Sequence, residues 1–242
     1  MSVANLPALP PSVHDLGHRL GVASGMQKTF VRLGQSGRMR QETTSRWIAF
    51  RAEQTISNDA CAFEWRARTG PFGIISVCDA LTADGGKLDV RALGVLRLAS
   101  LKNSPELMRG ELIRYLAELA WAPAAILMNR ELRWREDGPG RLVVSAGSGE
   151  TSAEVALTLD SEGRIASAFA PDRPRAVKAT MLPTPWQGYF SDYRRHETMW
   201  LPFAGRVGWT IDGREEIYWE GKLEHWTTKG SDVPLAAGMR RG

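Results

Sequence analysis

Three carboxylates stand beside groups that could take part in acid–base chemistry. Glu118 lies among aromatic and leucine side chains, Asp192 directly precedes Tyr193, and Glu53 lies in a strand-like run that contains arginine. General acid–base catalysis uses a positioned carboxylate whose pKa is shifted by burial or by a charged neighbour. One hypothesis is therefore an enzyme that uses Glu53, Glu118 or Asp192, with Tyr193 or an arginine as the partner.

Other catalytic and metal-binding patterns are missing from the sequence. It contains no nucleophile elbow, P-loop, zincin motif or glycine-rich dinucleotide fingerprint. Cys61 and Cys78 form no CxxC pair, and we expect both to be unpaired thiols. His14 and His18 have the spacing of a metal pair, but no third ligand is near, so we expect them to face solvent. We predict no cofactor and no metal.

Charge and hydropathy exclude further classes of protein. The formal charge is +4, from 31 basic and 27 acidic residues that are interleaved along the chain. No basic block alternates with aromatic residues, so we predict no nucleic-acid partner. No apolar run reaches the roughly 18 residues that cross a membrane, and the first 21 residues lack the pattern of a secretory signal. We therefore expect a cytoplasmic protein.

From residue 28 onward the hydrophobic period is two, which is typical of half-buried antiparallel strands. Phe50 and Ala52 alternate with Arg51, for example. Breaks rich in Gly, Asp and Asn separate these runs, and Asp212-Gly213 is a strong hairpin signal. We predict about eight to eleven antiparallel strands.

One segment has a helical pattern instead. Ser104 is a good N-cap and Pro105 suits the first helical position, and a stripe of apolar residues follows. A principal helix should therefore run from Ser104 to Trp121. It should bury four residues of that stripe, namely Met108, Leu112, Leu116 and Leu119.

The order of elements predicts one main domain with a short extension at each end. Residues 1–24 are expected to hold a short helix at 13–20, capped by Ser12. Residues 25–229 should form a single antiparallel β domain, and residues 230–242 a disordered tail. Because strands precede and follow one principal helix, the predicted class is mainly β (α+β). We expect a curved antiparallel sheet or half-open β-barrel with that helix packed on its concave side.

Several motifs resemble a bacterial family of unknown function, known as DUF6544 or DUF6920. They are AELAWAP at 117–123, PWQGYFSDYR at 185–194, VGW at 207–209, YWEG at 218–221, and GRMR at 37–40 followed by Trp47. The resemblance extends from Leu6 to Trp226 and implies no established activity. The strand–helix–strand order is also similar to that of LolA/LppX-like lipoprotein carriers, whose half-barrels hold acyl chains, although fold does not establish function. Unlike such carriers, this sequence has no lipobox cysteine.

Our leading hypothesis is a non-catalytic binding module for a hydrophobic or lipid-like ligand. A curved sheet with a helix on its concave side can enclose an apolar cavity. Six residues are candidates to line it: Phe50, Trp65, Met108, Leu112, Trp121 and Trp209. The alternative is that these side chains only pack in the hydrophobic core and line no cavity. The protein would then have a structural or interaction role and would bind its partner through an exposed sheet edge.

Charged residues near the strands complete the candidate site. Glu53, Arg66 and Arg68 come from adjacent strand candidates and form either a surface salt-bridge lattice or the polar floor of the cavity. Glu118 lies at the edge of the apolar stripe of the helix. We expect it to be at least partly buried and paired with a strand arginine, namely Arg38, Arg66 or Arg68, because a buried carboxylate needs a partner.

Overall fold

A computed structural model describes residues 9–23, 29–40, 45–93, 96–101, 103–178 and 180–230. Within them are three α-helices and thirteen strands. The helices are α1 (Pro11–Arg19), α2 (Pro105–Ala117) and α3 (Pro123–Met128). The strands are β1 (Thr29–Met39), β2 (Ile48–Ser57), β3 (Phe63–Thr69), β4 (Ile75–Thr82), β5 (Gly85–Ala92), β6 (Leu96–Leu101), β7 (Arg133–Glu136), β8 (Arg141–Ala146), β9 (Ala153–Leu159), β10 (Ile165–Val177), β11 (Thr180–His196), β12 (Met199–Ile211) and β13 (Arg214–Gly230).

The thirteen strands form one antiparallel sheet in the order β6-β5-β4-β3-β2-β1-β13-β12-β11-β10-β9-β8-β7. Each half is a meander, and the pairing of β1 with β13 joins the two halves. The sheet curls into a half-barrel, and α2 packs against β4 and β5 of one half and against β8, β9 and β10 of the other. The predicted fold class is confirmed.

The predicted strand count was too low, because β4 and β6 lack a regular alternation. In β4 five consecutive residues are all half-buried, so no face is marked by hydrophobicity. In β6, Leu96 and Leu98 are exposed at the edge of the sheet. Alternation reveals a strand only where one of its faces is buried and the other is not.

Helix α2 begins as the sequence predicts. The Ser104 hydroxyl accepts a hydrogen bond from the Leu107 backbone N–H at 3.2 Å. The α-helix ends at Ala117, and one turn of 3-10 helix follows at Glu118–Ala120. Of the four residues expected to be buried, three are buried and Met108 is only half-buried. The half-barrel covers more than one side of α2, which explains why Leu107 and Ile113, which lie outside the stripe, are buried as well.

The short helix α1 starts earlier than predicted. Its N-cap is Pro10, which makes no side-chain cap, so Ser12 lies inside the helix and the predicted cap is wrong. The helix packs on α3, where Gly17 lies against Leu127, while His14 and His18 are exposed. The expected tail began at residue 230, but Gly230 is the last residue of β13, and residues 231–242 lie outside the described residues.

The interior of the half-barrel is filled with aromatic and aliphatic side chains. Trp121 meets Phe190 with ring centroids 5.2 Å apart and Trp219 with centroids 6.3 Å apart. Its indole N–H donates to the Pro202 carbonyl at 2.9 Å, and the Trp226 indole N–H donates to the Trp121 carbonyl at 2.8 Å. These bonds satisfy the polar tips of buried rings. In the part of the chain that is described, no helix is long and apolar enough to cross a membrane.

Candidate functional site

A wide groove lies on the face of the sheet that points away from α2. Its volume is about 1870 Å³, and its walls come from β1 to β5 and β10 to β13. The alternation of β3 shows which face this is: Trp65 and Ala67 are buried, while Arg66 and Arg68 between them are exposed. Since successive side chains of a strand point to opposite faces, the charged positions face the groove.

Basic side chains outnumber acidic ones in this groove. Nine Lys or Arg residues line it, against four Asp or Glu residues. Some of the charges are paired: Arg32 lies 3.3 Å from Glu53, and Arg38 lies 2.6 Å from Glu220. Exposed pairs of this kind contribute little to stability. The groove as a whole therefore favours an anionic ligand.

The strand register aligns part of this charge into a single line, which we call the basic row. It consists of Lys222, Ser36, Arg51, Arg68, Ser76 and Arg91, each opposite the next on neighbouring strands. Six strands at the usual spacing make the row roughly 24 Å long. It combines cations with two hydroxyl groups, and both are groups that bind phosphate and carboxylate oxygens.

Arg51 and Arg68 are the centre of the basic row. They stand directly opposite each other on β2 and β3, and in the described structure neither forms an ion pair. Like charges directly opposite in a sheet are destabilising. An anion between the two guanidinium groups would remove this repulsion and accept hydrogen bonds from both.

Glu53 lies beside the basic row in a small cluster of its own. Its carboxylate is within 3.4 Å of the His225 ring as well as near Arg32. The His225 ring lies over Gly34, where a Cβ would approach the ring to 2.1 Å. Glycine at this position therefore leaves the space that the His225 ring occupies. The cluster is a surface salt-bridge arrangement, one of the two alternatives for Glu53.

The apolar candidate residues lie mainly on the other face of the sheet. Phe50, Trp65, Leu112 and Trp121 are buried in the core, while Met108 and Trp209 are half-buried. The space between α2 and the sheet is thus occupied by these side chains. Phe50 also borders the groove, together with Glu53, Arg66 and Arg68. A role of the ten candidates in ligand binding stays a prediction.

Glu118 is partly buried, as expected, but its partner is not a strand arginine. Its carboxylate accepts a hydrogen bond from Arg114 on the same helix at 2.8 Å and another from Gln54 on β2. The prediction that Arg66 or Arg68 is the partner is wrong. These two residues alternate with the helix-facing residues of β3 and therefore point into the groove. Arg38 likewise points into the groove, where it pairs with Glu220.

A buried charged cluster, which the sequence interpretation missed, fixes α2 to the sheet. Arg114 binds both Glu118 and Asp79, a residue of β4. Glu111 is buried one turn earlier, and its Oε2 has no hydrogen-bond partner in the described structure. Burial and the neighbouring Asp79 raise the pKa of Glu111 well above its usual value. The spacing of Glu111, Arg114 and Glu118 on one side of a helix was the available sequence signal.

The three acid–base candidates do not converge. Glu53 faces the groove, whereas Glu118 faces the helix side of the sheet. Asp192 is exposed on β11, four strands from β2 and thus roughly 19 Å away. Its hydrogen bond with Arg194 lowers its pKa. Tyr193 donates to the Ile165 carbonyl at 2.8 Å.

The two cysteines are free thiols, as expected. Cys78 lines the groove, and burial raises its pKa. Burial also raises the pKa of Cys61, and the charge of Glu131 raises it further by a smaller amount. Both shifts favour the thiol over the reactive thiolate. In the residues that the structure describes, no group of three or more His, Cys, Asp or Glu side chains could hold a metal ion.

Comparison with known proteins identifies a family. The chain belongs to DUF6544, a family of unknown function whose model matches residues 1–221, which confirms the resemblance seen in the motifs. One similar solved structure is a LolA superfamily protein from Nitrosomonas europaea, with 11% identity, 92% of this chain and 94% of that chain covered, and a TM-score of 0.45. Another is an outer membrane lipoprotein-sorting protein domain from Vibrio parahaemolyticus, with 11% identity, 93% of each chain covered and a TM-score of 0.47. A comparison with curated proteins gives no match.

Proposed function

We propose that this DUF6544 protein is a non-catalytic binding module for a lipid-like ligand with an anionic headgroup, held in the groove. The observation that carries the proposal is the basic row, in which Arg51 and Arg68 stand opposite each other and neither has an ion-pair partner among the described residues. The headgroup would lie between these two guanidinium groups. There it would neutralise two like charges that otherwise repel each other.

The groove suits such a ligand better than the interior of the half-barrel does. The interior is filled by the core, whereas the groove is open and its volume of about 1870 Å³ exceeds the roughly 300–1,000 Å³ of a usual small-molecule pocket. An elongated molecule therefore fits it. We keep the sequence-based prediction of a hydrophobic ligand, but we propose that it binds on the face of the sheet opposite α2.

Small side chains provide room for an apolar chain beside the basic row. Ala49 and Ala204 line the groove on β2 and β12, and Tyr189 contributes an aromatic ring on β11. The Arg206 guanidinium lies 4.6 Å from the centre of that ring and covers part of it. Cations next to small and aromatic residues match the two parts of an amphiphile, a charged head and an apolar tail.

The proposal is tested by calorimetric titration of the full chain with three soluble probes. Lysophosphatidylglycerol supplies an anionic head and an acyl chain, lysophosphatidylcholine the chain with a zwitterionic head, and glycerol phosphate the head alone. We expect the first probe to bind most tightly. Arg51→Gln combined with Arg68→Gln should weaken that binding by about tenfold or more, because each charge-assisted hydrogen bond contributes about 1.5–3 kcal/mol.

Arg135→Gln is the matched control. Arg135 pairs with Asp137 and Glu154 and is not among the residues that line the groove. Equal binding of the two lysophospholipids, or an unchanged affinity of the double variant, would contradict the proposal. We keep the sequence predictions of a cytoplasmic location and of no nucleic-acid ligand. A single-stranded oligonucleotide that binds as tightly as the anionic lipid would overturn the choice of ligand.

A further inference from the structure

Exposed apolar side chains are concentrated at one corner of the sheet. Of the eight large hydrophobic residues that the described structure exposes, six lie on β6, at the start of β2, or on the turns before β4 and after β5: Ile48, Phe72, Ile74, Leu93, Leu96 and Leu98. The turns touch each other, since the Leu93 backbone N–H donates to the Ile74 carbonyl at 2.8 Å. We call Phe72, Ile74, Leu93 and Leu96 the apolar tip.

The two turns hold apolar residues in an unfavourable backbone conformation. Phe72 has φ 55° and Leu93 has φ 52°, which is the left-handed region that bulky side chains rarely adopt. The Phe72 side chain is also fully exposed, at 103% of its reference area. Glycine or asparagine would be the usual choice at both positions. Two strained and exposed apolar residues at turn tips indicate a surface with a function beyond folding.

The described surface beside the apolar tip carries more basic than acidic side chains. The groove reaches the apolar tip, since Phe72 and Gly73 line it, and nine Lys or Arg residues of its lining stand against four Asp or Glu residues. Arg68 packs beside the Phe72 turn, 3.6 Å from where a Cβ of Gly73 would lie. At the start of β2, Trp47 lies between the guanidinium groups of Arg38 and Arg40, at 4.7 and 4.8 Å. Tryptophan with flanking arginine is typical of side chains at a membrane interface.

We propose that the apolar tip docks the protein on an anionic lipid bilayer. Phe72 and Leu93 insert below the headgroups, and the neighbouring arginines contact lipid phosphates. The charge of the surrounding surface decides between a bilayer and a second copy of this chain. A second copy would bring the same basic surface against itself, whereas an anionic bilayer is complementary to it. This proposal goes beyond the groove ligand and can hold without it.

The test is co-sedimentation of the full chain with vesicles. One set contains phosphatidylcholine alone, and the other contains phosphatidylcholine mixed with phosphatidylglycerol. We expect binding to the mixed vesicles only, and weaker binding as salt is raised. Phe72→Gly combined with Leu93→Gly should reduce the affinity by about tenfold or more, because two apolar side chains no longer enter the bilayer. The same variant should have an equal or higher thermal midpoint, because glycine relieves the left-handed strain.

Phe169→Ser is the matched control, since Phe169 is also exposed but lies on β10. It should bind vesicles like the parent. Failure of the parent to bind mixed vesicles, or equal binding by the double variant, would overturn the proposal. Light scattering gives a third test. If the parent is a dimer and the double variant is a monomer, the apolar tip binds a second copy of this chain, and the proposal is wrong. Because Phe72 also lines the groove, the single variant Leu93→Gly, which keeps Phe72, Arg51 and Arg68, is titrated with lysophosphatidylglycerol to test the groove separately.

Discussion

Replacing Arg114 with methionine is the most direct test of how α2 is held on the sheet. The Arg114 side chain is 15% exposed, and its two carboxylate partners Asp79 and Glu118 are 13% and 12% exposed. Glu111 is buried nearby on the same helix. Methionine keeps most of the side-chain volume but removes the charge that these carboxylates share. The variant therefore loses the cation that binds Asp79 and Glu118, while both carboxylates stay largely buried.

The expected cost is large. Removing one partner of a buried ion pair costs about 3–5 kcal/mol, because the remaining charge is uncompensated. A domain is stable by only about 5–15 kcal/mol in total. With the usual urea dependence of about 1–3 kcal/mol per molar, the urea midpoint should fall by about 1 M or more.

The assay is urea unfolding followed by far-UV circular dichroism, at neutral pH and at about pH 4, near the reference value of carboxyl groups. Protonation of the orphaned carboxylates removes the uncompensated charge. The difference between parent and variant should therefore be largest at neutral pH and smaller in acid. Arg135→Met is the control, because Arg135 forms ion pairs that are exposed. Its midpoint should match that of the parent.

Two results would refute this account of the cluster. In the first, Arg114→Met and Arg135→Met unfold at the same urea midpoint. The second is a large loss of stability for Arg114→Met that is identical at both pH values. That outcome would assign the loss to packing of the Arg114 chain on Phe63 and Trp65, over whose rings its guanidinium lies.

Two further predictions concern α2. The pKa of Glu111 is raised in the folded state, so its contribution to stability is full below the unfolded pKa and is lost as pH rises through the folded pKa. Glutamine does not ionise, so Glu111→Gln keeps this contribution at every pH. The stability of the variant relative to the parent should therefore rise with pH, by up to about 1.4 kcal/mol per pH unit. Urea unfolding at several pH values measures this, and a stability difference that does not change with pH would contradict the prediction. Ser104→Ala removes the N-cap and should cost about 1 kcal/mol in the same assay. Ser148→Ala is its control, because Ser148 precedes a 3-10 turn without a side-chain cap, and equal costs for both would contradict the prediction.

Local chemistry in the sequence determined where many elements begin and end. Ser104 followed by Pro105 marks the start of α2, since a side-chain acceptor and a fixed φ act within one turn of helix. Asp212-Gly213 marks the hairpin between β12 and β13, where both residues have positive φ. The alternation in β3 even separated Arg66 and Arg68 from the buried residues. These features depend only on neighbours along the chain.

Other features depend on contacts between distant residues, and only the tertiary structure decided them. The pairing of β1 with β13 brings Ser36 next to Lys222 and so completes the basic row. No local pattern specifies that register. The partner of Glu118 is likewise set by which face of β2 and β3 meets α2, and the helix side offers Gln54 but no strand arginine of β3. Strand pairing and sheet curvature are fixed by the packing of the whole core, which a local sequence pattern does not contain.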